Sequence, residues 1–309
     1  MLTQLLCVSP QHCLLSPSTH QPTHKMKTFD IPFYATDLPC PLPTNAEIEK
    51  APDVSMEYGG RRIVRLGEHF VVKYGLGVNL TEGENMLFVR ENTNVAVPRV
   101  FALYSDAETG KNFIVMERIV GQTLLSAWPQ LTDLDKRDIL SDLRVYCDEL
   151  RRLPSPEYFG SFGKRQLLDE IFWTREPDQL INGPFDSERD LNEAMLRKYT
   201  YNWGSPYRAE YLRKCLPCIF RDHEATFTHG DLQRKNIIIR EKSYESKEGT
   251  RIVILDWEKS GWYPAYWEYC LAACALRWDD DWSLWIDTFL TPFVSEAAWL
   301  QSLRLELWS

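Results

Sequence analysis

Apolar residues fall into short, strand-length runs in the first half of the chain and into helix-spaced stripes in the second. Val54 to Tyr58, Arg61 to Leu66 and Phe70-Val71-Val72-Lys73-Tyr74 are separated by turn signals at Gly59-Gly60 and Gly67-Glu68-His69, and predict three strands. Glu82 to Asn92 then carries Met86, Leu87 and Val89 toward one side, as a helix does. A further buried strand, Asn112 to Arg118, runs into Val120-Gly121. Beyond this point the period lengthens. In Asp133 to Leu153, Leu134, Ile139, Leu143, Tyr146 and Leu150 recur at helical spacing with charges between them. Ser187 to Tyr199, Tyr207 to Cys218 and Trp267 to Trp278 predict three more helices, the first capped by Ser187. Two apolar strands interrupt this half, Ile237-Ile238-Ile239 and Ile252-Val253-Ile254-Leu255, on either side of a polar turn from Glu241 to Thr250. They read as a hairpin.

The N-terminal stretch has neither pattern. Met1 to Leu15 is mildly apolar but is broken by Pro10 and His12 and lacks a positive start, which makes it a poor signal peptide. Ser16 to Lys27 is rich in Ser, Thr, Pro and His and cannot build a core; Met26 offers a second start. Pro39 to Pro43 leads to a helix near Thr44-Asn45 with Glu47 in its first turn. Residues 1–43 are therefore expected to be disordered or extended.

Composition narrows the partners. With 44% hydrophobic residues, 309 residues can bury one large core or two lobes. A net charge of −9 disfavours nucleic acid and anionic membranes and leaves room for a cationic substrate. No apolar run approaches a membrane span, and eight scattered cysteines fit reduced thiols, so a cytoplasmic protein is expected.

The chemistry concentrates in Thr228-His229-Gly230-Asp231-Leu232-Gln233-Arg234-Lys235-Asn236 and in Asp256-Trp257-Glu258. One Asp, an Asn five residues on, and a second Asp at the end of a buried strand are what phosphoryl transfer needs without a Walker loop. Asp231 would accept the proton of an attacking hydroxyl, while Asn236 and Asp256 would hold Mg²⁺ on the phosphates of ATP. His229 is expected to contribute to catalysis by bracing the loop, since Gly230 and Asp231 bring the carboxylate to the reaction. An Asp at the end of an apolar strand is costly to desolvate unless paired or on a metal.

By His229-Gly230-Asp231 with Asn236, and by Asp256-Trp257-Glu258, the chain resembles the aminoglycoside phosphotransferase family, with its choline kinase-like and fructosamine kinase-like relatives. The run Asp256-Trp257-Glu258-Lys259-Ser260-Gly261-Trp262-Tyr263-Pro264 is most similar to the fungal members, and the resemblance covers roughly residues 50 to 309. It implies an α+β, protein kinase-like two-lobe fold: a small, mainly β N-lobe with one helix over 44–120, and a larger, mainly helical C-lobe over 121–309. It also implies an ATP- and Mg²⁺-dependent enzyme acting on a small hydroxyl acceptor of aminoglycoside, choline or sugar type. Lys73 would contact the phosphates, paired with Glu84 or, as runner-up, Glu82. Met116, Glu117 and Ile119 would face the adenine.

Two other readings stand beside this one. A protein Ser/Thr kinase is disfavoured by the missing Gly-rich loop, by Gly230 where an HRD motif has Arg, and by the lack of an Ala-Pro-Glu segment after Asp256. A catalytically silent nucleotide-binding module would keep the fold alone. Gly160-Ser161-Phe162-Gly163-Lys164 fails the Walker spacing. Cys215-Leu216-Pro217-Cys218 follows a helical stretch without a second pair, so neither a redox nor a zinc role is expected. Asp279-Asp280-Asp281 reads as a solvated turn, with binding of a cationic acceptor as the other option. The aromatic run Trp262, Tyr263, Tyr266 and Trp267 fits either an acceptor pocket or core packing.

Overall fold

Strand alternation in Phe70–Gly75 sets the orientation of everything around the site. Phe70, Val72 and Tyr74 point to one face of a sheet and Lys73 to the other. The computed structural model describes residues 28–54, 60–240, 251–274 and 279–307. The first part contains β1 (Phe33–Tyr34), α1 (Asn45–Lys50), β2 (Arg61–Leu66), β3 (Phe70–Gly75), α2 (Thr81–Asn92), β4 (Val100–Ser105) and β5 (Asn112–Glu117). Its strands form one antiparallel five-stranded sheet in the order β1-β4-β5-β3-β2. One sheet face buries Val64, Val72, Tyr74, Phe101 and Val115 with Ile48 of α1. The other packs on α2 through Leu103, Ile114, Met86 and Val89.

The second part comprises β6 (Gly121–Thr123), α3 (Leu124–Ala127), α4 (Asp133–Arg151), β7 (Gly160–Ser161), α5 (Gln179–Asn182), α6 (Glu188–Tyr201) and α7 (Pro206–Ile219). It continues with β8 (Ala225–Thr228), β9 (Ile237–Arg240), β10 (Ile252–Ile254), β11 (Gly261–Pro264), α8 (Trp267–Cys274), α9 (Ile286–Phe289) and α10 (Val294–Leu307). Two small sheets, β10-β9-β6 and β7-β11-β8, sit among the helices. The architecture is α+β, a mainly β part followed by a mainly helical one. One core runs through both parts: Met86, Leu87 and Val89 of α2 belong to the same cluster as Ile139 and Leu143 of α4, Ile254, Trp257 and Trp262. A second cluster, built from α6, α7, α8 and α10, lies wholly in the helical part.

Local sequence accounts for the boundaries. Thr44 caps α1 and Thr132 caps α4, each in a reciprocal capping box with Glu47 or Asp135. Ser187 caps α6 through the N–H of Asp190. The β9–β10 hairpin pairs Ile252 with Ile239 and Ile254 with Ile237; its polar turn, 241–250, lies outside the described residues, as do most of Val54 to Tyr58 and the end of the helix expected up to Trp278.

The described part of the N-terminal segment packs on the sheet. Residues 28–43 are not set apart from the fold: Phe33 and Tyr34 pair with Leu103 and Ala102 as an edge strand, and Ala35, Leu38, Cys40 and Leu42 pack against the outer face of the sheet. Apolar residues between prolines cover a sheet face without regular structure of their own, which hides them from a periodicity test. Residues 1–27 lie outside the described residues. The aromatic run proves to be core, with Trp262, Tyr263, Tyr266 and Trp267 all at 0% exposure. Cys215 and Cys218 are free thiols on α7. No described helix is long and apolar enough to cross a membrane.

Candidate active site

The loop between β8 and β9 is fixed by its backbone before any side chain acts. Gly230 has φ +83°, and a Cβ there would lie 2.6 Å from the carbonyl oxygen of Lys259, so the turn requires glycine. The buried carboxylate of Glu268, in the first turn of α8, accepts the N–H of His229 at 2.6 Å and of Gly230 at 3.3 Å. Ser260 Oγ donates to the His229 carbonyl at 2.9 Å. The imidazole of His229 completes the brace: its Nδ1 accepts the N–H of Asp231 at 3.2 Å, and its Nε2 donates to Leu255 O at 3.0 Å. Burial holds its pKa below the ordinary value, as one donating and one accepting nitrogen require. His229 thus orients the backbone of Asp231, and its ring nitrogens are both engaged.

Asp231 presents its carboxylate to three donors. Asn236 Nδ2 reaches Oδ2 at 2.9 Å and also the Asp231 carbonyl at 2.9 Å. Lys235 Nζ lies 3.2 Å from Oδ2, and Gln233 Nε2 donates to Oδ1. Asn236 is tied to the second segment, because its carbonyl accepts the N–H of Leu255 at 2.7 Å. The next residue, Asp256, has the left-handed backbone at φ 64° and ψ 62°, which turns the chain out of β10 and leaves its side chain 40% exposed at the cleft. Burial would raise its pKa, but Lys73 above all holds it below the ordinary carboxylate value.

Across the cleft, Lys73 Nζ lies 2.6 Å from Glu82, 3.3 Å from Asp256 and 3.3 Å from Glu258. Burial disfavours its charge, yet these three carboxylates prevail and hold its pKa well above normal. The expected Glu84 pairing is therefore corrected: Glu82 faces Lys73, and Glu84 instead meets Arg165 at 2.6 Å. Residues two apart on a helix point roughly 200° apart, so only one of the two can face the sheet. Arg61 of β2 closes the group, its two terminal nitrogens each 2.7 Å from Glu258 while its Nε donates to Gly77 O at 2.8 Å.

Asn236 and Asp256 are thus brought together through Leu255, and Asn236 spends its N–H bonds on Asp231, leaving its amide oxygen as the atom that could hold a metal ion. Hard oxygen donors of this kind suit Mg²⁺. A second acidic group, Glu82, Asp256 and Glu258, has ligand atoms all within 4.8 Å of one another, with the Lys73 ammonium as its cation. Of the residues expected at the adenine, Met116 lies between Val71 and Val100 in the sheet. Glu117 accepts from the backbone of Arg99 at 3.2 Å and pairs with Arg240 at 3.3 Å, and half-buried Ile119 follows it before β6.

Arg61 and Glu268 escape a motif reading, as does the contact of Glu258 with Lys73. Glu258 is visible only as the third letter of its motif. Glu268 carries one signal, a carboxylate inside the apolar run Trp267 to Leu271, where a charge needs buried donors.

The sequence profile described as APH, phosphotransferase enzyme family, matches residues 74–299. Among solved structures, the aminoglycoside phosphotransferase APH(4)-Ia is similar over 82% of this chain and 81% of its own, at 14% identity and TM-score 0.53. The GDP and kanamycin complex of APH(2")-IIia is similar over 84% of this chain and 87% of its own, at 14% identity and TM-score 0.53. At such identity the likeness is one of fold, the two-lobed, protein kinase-like α+β fold. A subtelomeric hrmA-associated cluster protein of Aspergillus fumigatus is 28% identical over 112 residues, 35% of this chain and only 21% of that protein's length.

Proposed function

The chain belongs to the phosphotransferase enzyme family APH, and on that footing we propose that it transfers the γ-phosphoryl group of ATP to a hydroxyl of a small molecule. The observation that carries this reading is the meeting of Asp231, Asn236 and Asp256 at one loop mouth, opposite the Lys73–Glu82 pair.

Each residue has a task that its surroundings fit. Asp231, oriented by His229 and hydrogen-bonded by Asn236, takes the proton of the acceptor hydroxyl. The acceptor oxygen then forms the new bond to phosphorus, and the bond from phosphorus to the β–γ bridging oxygen breaks as ADP leaves with that electron pair. Lys73 stays protonated and exchanges the carboxylate of Asp256 for a phosphate oxygen, while Glu82 keeps hold of the ammonium. That exchange frees Asp256 to act with Asn236 as oxygen ligands. Mg²⁺ bound there would neutralise charge on the transferred group. His229 serves as a positioning residue. Met116, Glu117 and Ile119 form the adenine side, by analogy with kinase-like folds. Support for a nucleotide and a small acceptor comes from a structural relative that was solved with GDP and kanamycin.

The test is thermal denaturation with ATP or GTP, with and without Mg²⁺, for wild type, Asp256→Asn and Asp231→Asn. A ligand at about a hundred times its Kd adds roughly 2.7 kcal/mol of stability. A Mg²⁺-dependent shift that Asp256→Asn abolishes and Asp231→Asn retains is the expected result. No shift with either nucleotide removes the proposal.

A further inference from the structure

Beside Asp231 lies a cavity of about 280 Å³, lined among others by Asp169, Glu170, Lys259, Leu271 and Arg304. Its position next to the proposed base makes it the acceptor's place. What sets it apart is internal charge balance. Arg304 Nη1 reaches both oxygens of Asp169 at 3.0 Å, and Asp169 is only 2% exposed. Lys259 is bonded to Glu170. The acidic turn near the same loop is neutralised as well: Asp280 meets Arg234 at 2.7 Å and Asp281 meets Lys136 at 2.8 Å.

A polycationic acceptor needs carboxylates that are free to take its ammonium groups. Here it would have to compete with Arg304 for Asp169 in buried surroundings and with Lys259 for Glu170. The chain's net charge of −9 is therefore a poor guide to its acceptor. Size points the same way, since 280 Å³ is just below the roughly 300–1,000 Å³ typical of ligand sites. Hydroxyl groups, by contrast, suit what the walls offer. Glu170 Oε2 is buried with no hydrogen-bond partner among the described residues, and the Lys259 ammonium has further N–H donors. A hydroxyl both donates and accepts, so adjacent hydroxyls can bind the Glu170–Lys259 pair without leaving either charge unpaired.

We infer that, if the phosphotransferase reading on which this rests holds, the acceptor is a small uncharged polyhydroxy compound of about one sugar ring, docked on Glu170 and Lys259. One hydroxyl faces Asp231 and receives the phosphoryl group. The neighbouring hydroxyls bridge Glu170 and Lys259. Polycationic aminosugars are disfavoured, because each ammonium competes with Arg304 or Lys259 for a carboxylate that is already neutralised.

The experiment uses the full chain with Mg²⁺ and ATP, and follows ADP release together with the mass of any phosphorylated product. One pool contains neutral monosaccharides and cyclic polyols; the other contains kanamycin and hygromycin B. The neutral pool is expected to stimulate ADP release by about tenfold or more, and the aminosugar pool to leave it at background. Lys259→Gln and Glu170→Gln are each expected to raise KM for the responding neutral compound by about 10- to 100-fold, with KM for ATP unchanged. Turnover of the aminosugars by wild type overturns the inference. So does an unchanged acceptor KM in both variants, or an Mg²⁺-ATP thermal shift without stimulation by either pool. Absence of any nucleotide shift is a different failure: it removes the phosphotransferase reading, and this inference with it.

Discussion

Glu82 Oε2 lies 2.6 Å from Lys73 Nζ, and both side chains are less than a tenth exposed. Glu84, two residues on, is engaged by Arg165 on the other side of α2. Charge removal at the two positions should therefore separate cleanly. Glu82→Gln leaves Lys73 to Asp256 and Glu258, which hold it away from a phosphate, and is expected to raise KM for ATP by about tenfold or more. Glu84→Gln is expected to lower stability by about 1 kcal/mol with KM for ATP unchanged, because its partner Arg165 is 42% exposed and the pair is partly screened. Steady-state kinetics and urea midpoints on both variants check this, and equal effects on KM would refute the assignment.

Asp231 carries its own test. Asn236 and Lys235 hold the carboxylate in place but do not replace its basicity. Asp231→Asn is expected to reduce kcat by about 100- to 10,000-fold while nucleotide binding is retained. A variant that keeps more than about a tenth of wild-type kcat would show that the acceptor proton leaves by another route.

How much of this was legible in the sequence follows from how far each interaction reaches along the chain. Asp231 and Asn236 sit in one loop, and Asp256 follows the hairpin strand paired with the strand after that loop, so their spacing alone marks them as a candidate site. The Glu82–Lys73 pair depends on the rotational phase of α2 against the sheet, which counting residues does not supply. Glu268 lies 39 residues beyond His229 and meets it only because α8 packs under the loop. β1 was hidden because a two-residue edge strand just after Pro32 has no periodicity to detect. The paired state of Asp169, Glu170 and Asp281 was hidden too, since their partners Arg304, Lys259 and Lys136 are distant in sequence.

Glu268 gives a pH signature. Burial pushes its pKa up to about 7, against the pull of the N–H groups of Gly230, His229 and Leu232. A carboxylate whose folded pKa exceeds its unfolded value contributes its stabilisation fully below the unfolded pKa, near 4.5, and loses it as pH rises through about 7. Glu268→Gln has no such proton to lose. Wild type is therefore expected to lose on the order of 3 kcal/mol relative to this variant between pH 4.5 and 8. Urea unfolding of both proteins across that range measures it, and parallel stability curves would contradict the buried, proton-binding carboxylate.

The acidic turn works in the opposite sense. Asp281 accepts from Lys136 Nζ at 2.8 Å, Trp285 Nε1 at 2.9 Å and Trp128 Nε1 at 2.8 Å, and these bonds hold its pKa well below the ordinary value. Arg234, which immediately precedes Lys235 in the β8–β9 loop and pairs with Asp280, lies over the rings of Trp128 and Trp282 at 5.4 and 5.1 Å. The turn therefore clamps the loop that carries Asp231. A depressed folded pKa means that the stabilisation is present above the unfolded value, about 3.9, and is lost as pH falls below it. Asp281→Asn is expected to cost about 1–2 kcal/mol at pH 7, a figure kept low because the side chain is 37% exposed, and the difference from wild type should shrink toward pH 3. Because the same clamp seats Arg234, tryptophan fluorescence and kcat should change together in this variant. A stability loss without any change in kcat would show that the turn does not support the proposed catalytic role of the β8–β9 loop.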